Sequence, residues 1–197
     1  MNISAPVFWL LDIVIESKLA VDILVADNIE EYLNQAPHAL SRTELTTTLS
    51  TLFEKQWISA WVFKDGHASP LLPPYTAQNI EQYLTQDSQS PGSFHRPLVY
   101  YGLTPAGGQQ WEQVTNPDWM SFVQTLYGVN PEEGSIASAT RQVVEQWFDN
   151  QIFEGYEVLP DSIQWENMHP WQATYWKQLP EGYRVTFLYH YHALSAE

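Results

Sequence analysis

The chain has 197 residues, a formal net charge of -15 and no cysteine. That length suits one large domain or two small ones with ample core, and a hydrophobic content of 44% argues against disorder. The missing cysteines exclude disulfides, thiolate nucleophiles and cysteine-ligated zinc, and the acidic surface disfavours nucleic acid and anionic membranes as partners at long range.

The charge is spread along the chain: residues 1–116 carry twelve acidic and five basic residues, and residues 117–197 carry eleven and three. The apolar run "VFWLLDIVI" (7–15) lacks a basic flank, is interrupted by Asp12, and falls well short of the roughly 20 residues that span a bilayer. It reads as a buried helix of a soluble, cytoplasmic protein, capped by Ser4 and containing Phe8, Leu11 and Ile15. A second helical stretch is expected over 19–34, broken near "ADN" (26–28), and "APH" (36–38) ends the pattern.

The best-specified element is the helix in "LSRTELTTTLSTLFEKQWI" (40–58). Ser41 and Glu44 form a capping-box pattern, and Leu40 and Leu45 take the positions of a hydrophobic staple. Leu45, Leu49, Leu52 and Phe53 recur at helical spacing as one buried face. Arg42, Thr43, Thr46, Thr47 and Ser50 make the opposite, polar face. "WISAWVF" (57–63) has strand composition, and "KDG" (64–66) is a turn signal. A long segment is expected before the next strand, with a helical pattern at 76–84 and a polar loop at 85–93. "PLVYYGL" (97–103) then reads as that strand, and Thr104 and Pro105 open a helix anchored by Trp111.

Beyond it, "TNPDWMSFVQTLYG" (115–128) predicts a helix capped by Asn116, with Trp119, Phe122, Val123 and Leu126 on one face. "SIASATRQVVEQWFDN" (135–150) predicts another. "YEVL" (156–159) is a short strand, and 173–192 reads as a hairpin turning at "LPEG" (179–182).

The order helix, helix, capped helix, strand, wing, strand, helix resembles a winged helix-turn-helix domain. "LSRTELTTTLSTLFEKQWISAW" is similar to the recognition helix and following strand of PadR-like and MarR-like regulators. "VYYGLTPAGGQQWE" is similar to their second wing strand and the helix after it. The resemblance covers residues 5–114. It departs in two places: the families usually have glycine where Gln56 stands, which predicts a different helix exit, and the wing is expanded to more than thirty residues. The expected fold is therefore α+β. A winged-helix-like domain occupies 1–115, with an insertion at 64–96, and a helical and β-hairpin extension occupies 116–197.

The resemblance implies that Arg42, Thr43, Thr46, Thr47 and Ser50 form the face that would enter a DNA groove or meet a partner. DNA affinity comes largely from Lys and Arg. Here Arg42 and Lys55 stand against Glu44 and Glu54, and the wing adds only Lys64, Arg96, His67 and His95. Charge thus favours a protein partner over DNA. Trp171, Tyr175, Trp176 and Tyr183 have the composition of an interface cluster, and equally of a small core.

Chemistry-bearing patterns are weak. His190 and His192 share one strand face, with His169 as a third histidine, but no carboxylate spacing supports a metal site. "PAGGQQ" (105–110) is not a phosphate loop. The pairs Glu30–Glu31 and Glu132–Glu133 suit solvated helix starts, and no G-x-S-x-G occurs. The expectation is a regulatory or protein-interaction module with no catalytic residue, cofactor or metal and no membrane partner. An inhibitor of the immunity-protein or DNA-mimic type is one form of it. A dimeric DNA-binding transcriptional regulator is the alternative, and a homodimer is compatible with either.

Overall fold

The structure is a computed structural model that describes residues 3–89, 97–128, 132–153 and 156–191. It is a mixed α and β structure with antiparallel strand pairing. The chain divides into two compact units, Met1–Asn116 and Pro117–Glu197.

The first unit begins with α1 (Ala5–Asp12), β1 (Leu19–Ala20), a 3-10 turn (Val21–Val25) and α2 (Ile29–Leu33). Ser4 sits at the N-cap of α1, but its side chain makes no capping bond. The helix expected over 19–34 is thus a short strand and two short helical pieces. Then come α3 (Arg42–Glu54), β2 (Ile58–Lys64), β3 (His67–Leu71), α4 (Ala77–Leu84), β4 (Leu98–Leu103) and α5 (Pro105–Thr115). The sheet order is β1-β4-β2-β3.

The hairpin β2–β3 corrects one expectation, because the return strand follows the "KDG" turn at once. Asp65 and Gly66 both have positive φ (49° and 79°), the two left-handed positions of a type I′ turn, whose twist matches antiparallel strands. What is inserted before β4 is therefore a strand, α4 and a loop. The segment is tied down at its far end. The Gln86 amide accepts from Val99 N at 2.8 Å and donates to the Pro97 carbonyl, while Asp22 accepts from Ser88 N and Oγ at 2.8 and 2.7 Å.

Leu10, Leu11, Leu45, Leu49, Leu52, Ile58, Ile80 and Tyr101 are fully buried in this unit. Asp12, which interrupts the apolar run, accepts a 2.7 Å bond from the Trp111 indole and so joins α1 to α5. Thr104 caps α5 as expected, its side chain accepting from Gly107 N. Gly107 permits a close approach: a Cβ there would stand 1.9 Å from the Trp57 carbonyl oxygen. Packing here demands the glycine.

The second unit comprises β5 (Val123–Tyr127), β6 (Glu133–Ser138), α6 (Arg141–Phe153), β7 (Tyr156–Val158), a 3-10 turn (Pro160–Ser162), β8 (Gln164–Met168), β9 (Trp171–Gln172), β10 (Gln178–Leu179) and β11 (Gly182–Tyr191). Its main sheet runs β5-β6-β11-β7, with β8 also paired to β11. Ile136, Val144, Val185, Phe187 and Tyr189 form one core cluster, and Ala137, Ala139, Trp171 and Ala173 form another.

Three sequence expectations fail in this unit. The helix expected at 115–128 is a turn and a strand. Asn116 adopts a left-handed φ of 46° and closes α5, and Asp118 accepts from Met120 N and Ser121 Oγ in a tight turn. Strand alternation then brings Val123 and Tyr127 onto the first cluster. The helix expected from Ser135 starts at Arg141, because residues 133–138 pair with both β5 and β11. The hairpin of 173–192 is replaced as well. β11 pairs with β6, β8 and β7, while β10 pairs only with β9. The Thr174 hydroxyl accepts from Lys177 N and closes the turn between β9 and β10. Among the described residues the extension is thus mostly sheet, with α6 as its one α-helix, rather than helices with a hairpin.

Candidate partner-binding face on the capped helix

Helix α3 is fixed at both ends by its own sequence. Ser41 Oγ accepts from Glu44 N, and Ser41 N donates to Glu44 Oε2 at 2.8 Å, completing the capping box. The Ser41 hydroxyl, followed by the Ser41 backbone N–H, holds the Glu44 carboxyl below its ordinary pKa. At the other end Gln56 has φ 56°, with Gln56 N donating to Phe53 O and Trp57 N to Leu52 O. These are the two bonds of a Schellman motif. The expectation of a different exit is therefore corrected: glutamine takes the left-handed position in which glycine is usual.

The structure divides the five-residue polar face three ways. Arg42 and Thr46 are both held by α4, with Arg42 exposed and Thr46 buried. Arg42 Nε donates to Glu81 Oε2 at 2.8 Å, and the Thr46 hydroxyl sits between the Arg42 carbonyl and Glu81 Oε1. Thr46 is only 6% exposed, so it is not a surface group at all. The Thr46 hydroxyl, then Arg42, lower the Glu81 pKa. Thr43 and Thr47 remain exposed, with the Thr47 hydroxyl donating to the Thr43 carbonyl at 2.9 Å. Ser50 lines a cavity of about 700 Å³ beside the inserted Pro73–Thr76 segment.

A DNA-reading helix presents its cations and hydroxyls outward to phosphates and bases. Here a carboxylate occupies that position. The other cations do not restore a basic footprint. Lys18 and Lys55 lie over the rings of Trp61 and Trp57, 4.4 and 4.6 Å from their centroids, and Lys64 is exposed on β2. His95 and Arg96 lie outside the described residues.

The aromatic cluster is also divided. Trp171 and Trp176 are 2% and 6% exposed, so they are core residues of the second unit rather than surface anchors. Tyr175 and Tyr183 are half-buried. Trp119 packs edge-on to Trp176 at 5.6 Å, with Lys177 over the Trp119 ring, and Arg184 pairs with Glu166. The reason is steric: Gly182 on β11 leaves room for the Trp171 ring, which a Cβ there would meet at 2.5 Å.

His190 Nδ1 lies 3.0 Å from Glu132 Oε2 on the surface, and His192 lies outside the described residues. Among the described residues no group of three His, Cys, Asp or Glu side chains could hold a metal, and no helix is long and apolar enough to cross a membrane.

Sequence reasoning missed Glu81 and Tyr75. The helical pattern of 76–84 was legible, and Thr76 with Asn79 gives it a capping box like that of α3. Its docking on α3 was not legible, because Glu81 stands 39 residues from Arg42 with no pattern linking them. No family model, no curated protein and no solved structure matches the chain.

Proposed function

We propose that this protein is a non-catalytic regulatory or protein-interaction module built on a winged-helix scaffold, with a partner that is a protein rather than DNA. The order α3, β2, β4, α5, with β4 between β1 and β2 in the sheet, supports the scaffold. One observation carries the functional reading: α4 lies on the face of α3 that a winged helix would offer to DNA, and Glu81 holds both Arg42 and Thr46. With net negative charge in both units, the surface suits a basic partner. An inhibitor that occupies the nucleic-acid-binding surface of such a partner is the specific form we favour.

Fluorescence polarisation at low ionic strength tests the reading, with a labelled mixed-sequence duplex and, separately, a labelled arginine-rich peptide. The expected result is saturable, salt-sensitive binding of the peptide, which competes with duplex for it, and no binding of duplex to the protein. Salt-sensitive duplex binding that disappears in Arg42→Ala would overturn the proposal in favour of a DNA-binding regulator.

A further inference from the structure

The cavity beside the C-terminal half of α3 has no role in the reading above, and its geometry is that of a ligand site. Its volume of about 700 Å³ lies in the range of small-molecule pockets, roughly 300–1,000 Å³. One wall is α3 and the start of β2, with Phe53 and Ile58; the other is the inserted segment, with Pro73, Pro74 and Tyr75. The Phe53 and Tyr75 rings stack at 4.2 Å with an interplanar angle of 28°, so the two walls are joined by a rigid aromatic contact. The Tyr75 hydroxyl donates to the Leu71 carbonyl at 2.5 Å, and burial raises its pKa.

The polar groups of the lining are hydroxyls, the Gln56 amide and one carboxylate. Ser50 and Ser59 contribute hydroxyls that make no hydrogen bond to another described residue, whereas Thr76 and Thr104 spend theirs on capping α4 and α5. Glu54 is the one charged residue of the lining. Its neighbour Lys55 does not line the cavity; its ammonium lies over the Trp57 ring. With no cation in the lining, a phosphate or carboxylate meets no opposite charge, and Glu54 repels it. Phe53 and Ile58 on one wall and Pro73 and Pro74 on the other give the cavity apolar sides. An amine at one end can meet Glu54, and the two serine hydroxyls can accept from it.

We propose that this cavity binds a small organic amine with a flat apolar body. Of the five residues of the α3 face, the cavity includes Ser50. It uses the part of the insertion, residues 73–77, that lies before the body of α4, so the inserted segment covers one part of α3 and builds a pocket on the next.

Amide chemical shifts of the full-length protein test this with three probes of similar size: phenethylamine, benzyl alcohol and phenylacetate. Phenethylamine is expected to move the amides of Ser50, Ser59 and Ala77 saturably, benzyl alcohol more weakly, and phenylacetate not at all. Glu54→Gln is expected to weaken the amine about three- to fivefold, the scale of one exposed charge pair, and to leave benzyl alcohol unchanged. Ala77→Phe, at an exposed position on the cavity rim, is expected to abolish binding of both while the remaining spectrum stays native. The proposal is overturned if no probe moves these amides, if phenylacetate binds as tightly as the amine, or if Glu54→Gln leaves amine affinity intact.

Discussion

The two units achieve order in different ways. In Met1–Asn116 the elements are bounded by contacts between neighbours in sequence: capping boxes on α3 and α4, a Schellman exit at Gln56, a type I′ turn at Asp65–Gly66 and the Thr104 cap of α5. In Pro117–Glu197 one strand, β11, is paired to β6, β8 and β7, which lie as much as 55 residues away in register. The ends of the first unit's elements are locally specified, although its β4 pairs with both β1 and β2, while the second unit depends on one strand shared by three others. Damage should therefore stay local in the first and spread in the second.

The largest expected effect comes from the centre of that strand. Phe187 is 1% exposed and packs against Tyr127, Phe148 and Tyr189. Phe187→Ala should cost about 3–5 kcal/mol. Hydrogen exchange should show β5, β6 and β11 losing protection together while α3 keeps its own. Protection lost in β11 alone would break the comparison.

Gly107→Ala tests a place where the first unit depends on a distant contact. The added methyl has only backbone to displace, since the Trp57 carbonyl already accepts from Thr104 N. A loss of about 3 kcal/mol is expected from overpacking, read as a lower denaturation midpoint with α5 most affected.

Ser41→Ala should cost about 1 kcal/mol, with exchange increased in the first turn of α3 only. At the other end of the helix, Gln56→Gly should stabilise by about 0.5–1 kcal/mol, because glycine adopts the left-handed exit without a Cβ penalty. Thermal melts of the two single variants should therefore move in opposite directions.

The smallest effect is the pH dependence of the α3 cap and of the α3–α4 contact. The carboxyls of Glu44 and Glu81 are held below the ordinary carboxylate pKa of 4.5. Each therefore contributes stability that is complete above that value and is lost as pH falls through the depressed folded-state pKa. The melting temperature of the wild type should drop on acidification, and Glu81→Gln should flatten that drop. Both groups are exposed, so the change is expected to be modest.

Local patterns were the legible part of this chain. Ser41 and Glu44 announced α3, Thr104 and Pro105 announced α5, and Trp57–Phe63 marked β2, because each signal acts within a few residues of its partner. Residues 115–128 misled for a related reason. Trp119, Phe122, Val123 and Leu126 match helical spacing, but Val123–Tyr127 also alternates, and a neighbouring strand to pair with decided in favour of β5. Short apolar runs carry both periods at once, and only burial against a partner separates them.

The candidate site divides along the same line. By itself the sequence determined a capped helix with a polar face at Arg42, Thr43, Thr46, Thr47 and Ser50, since capping and helical period are properties of adjacent residues. Only the tertiary structure decided that Glu81 would hold two of those residues, that two would stay in solvent, and that Ser50 would line a cavity. It also decided that Trp171 and Trp176 would be core. The physical reason is that docking α4 on α3, or a tryptophan over Gly182, is set by shape and charge meeting across dozens of residues, and no local periodicity encodes that meeting.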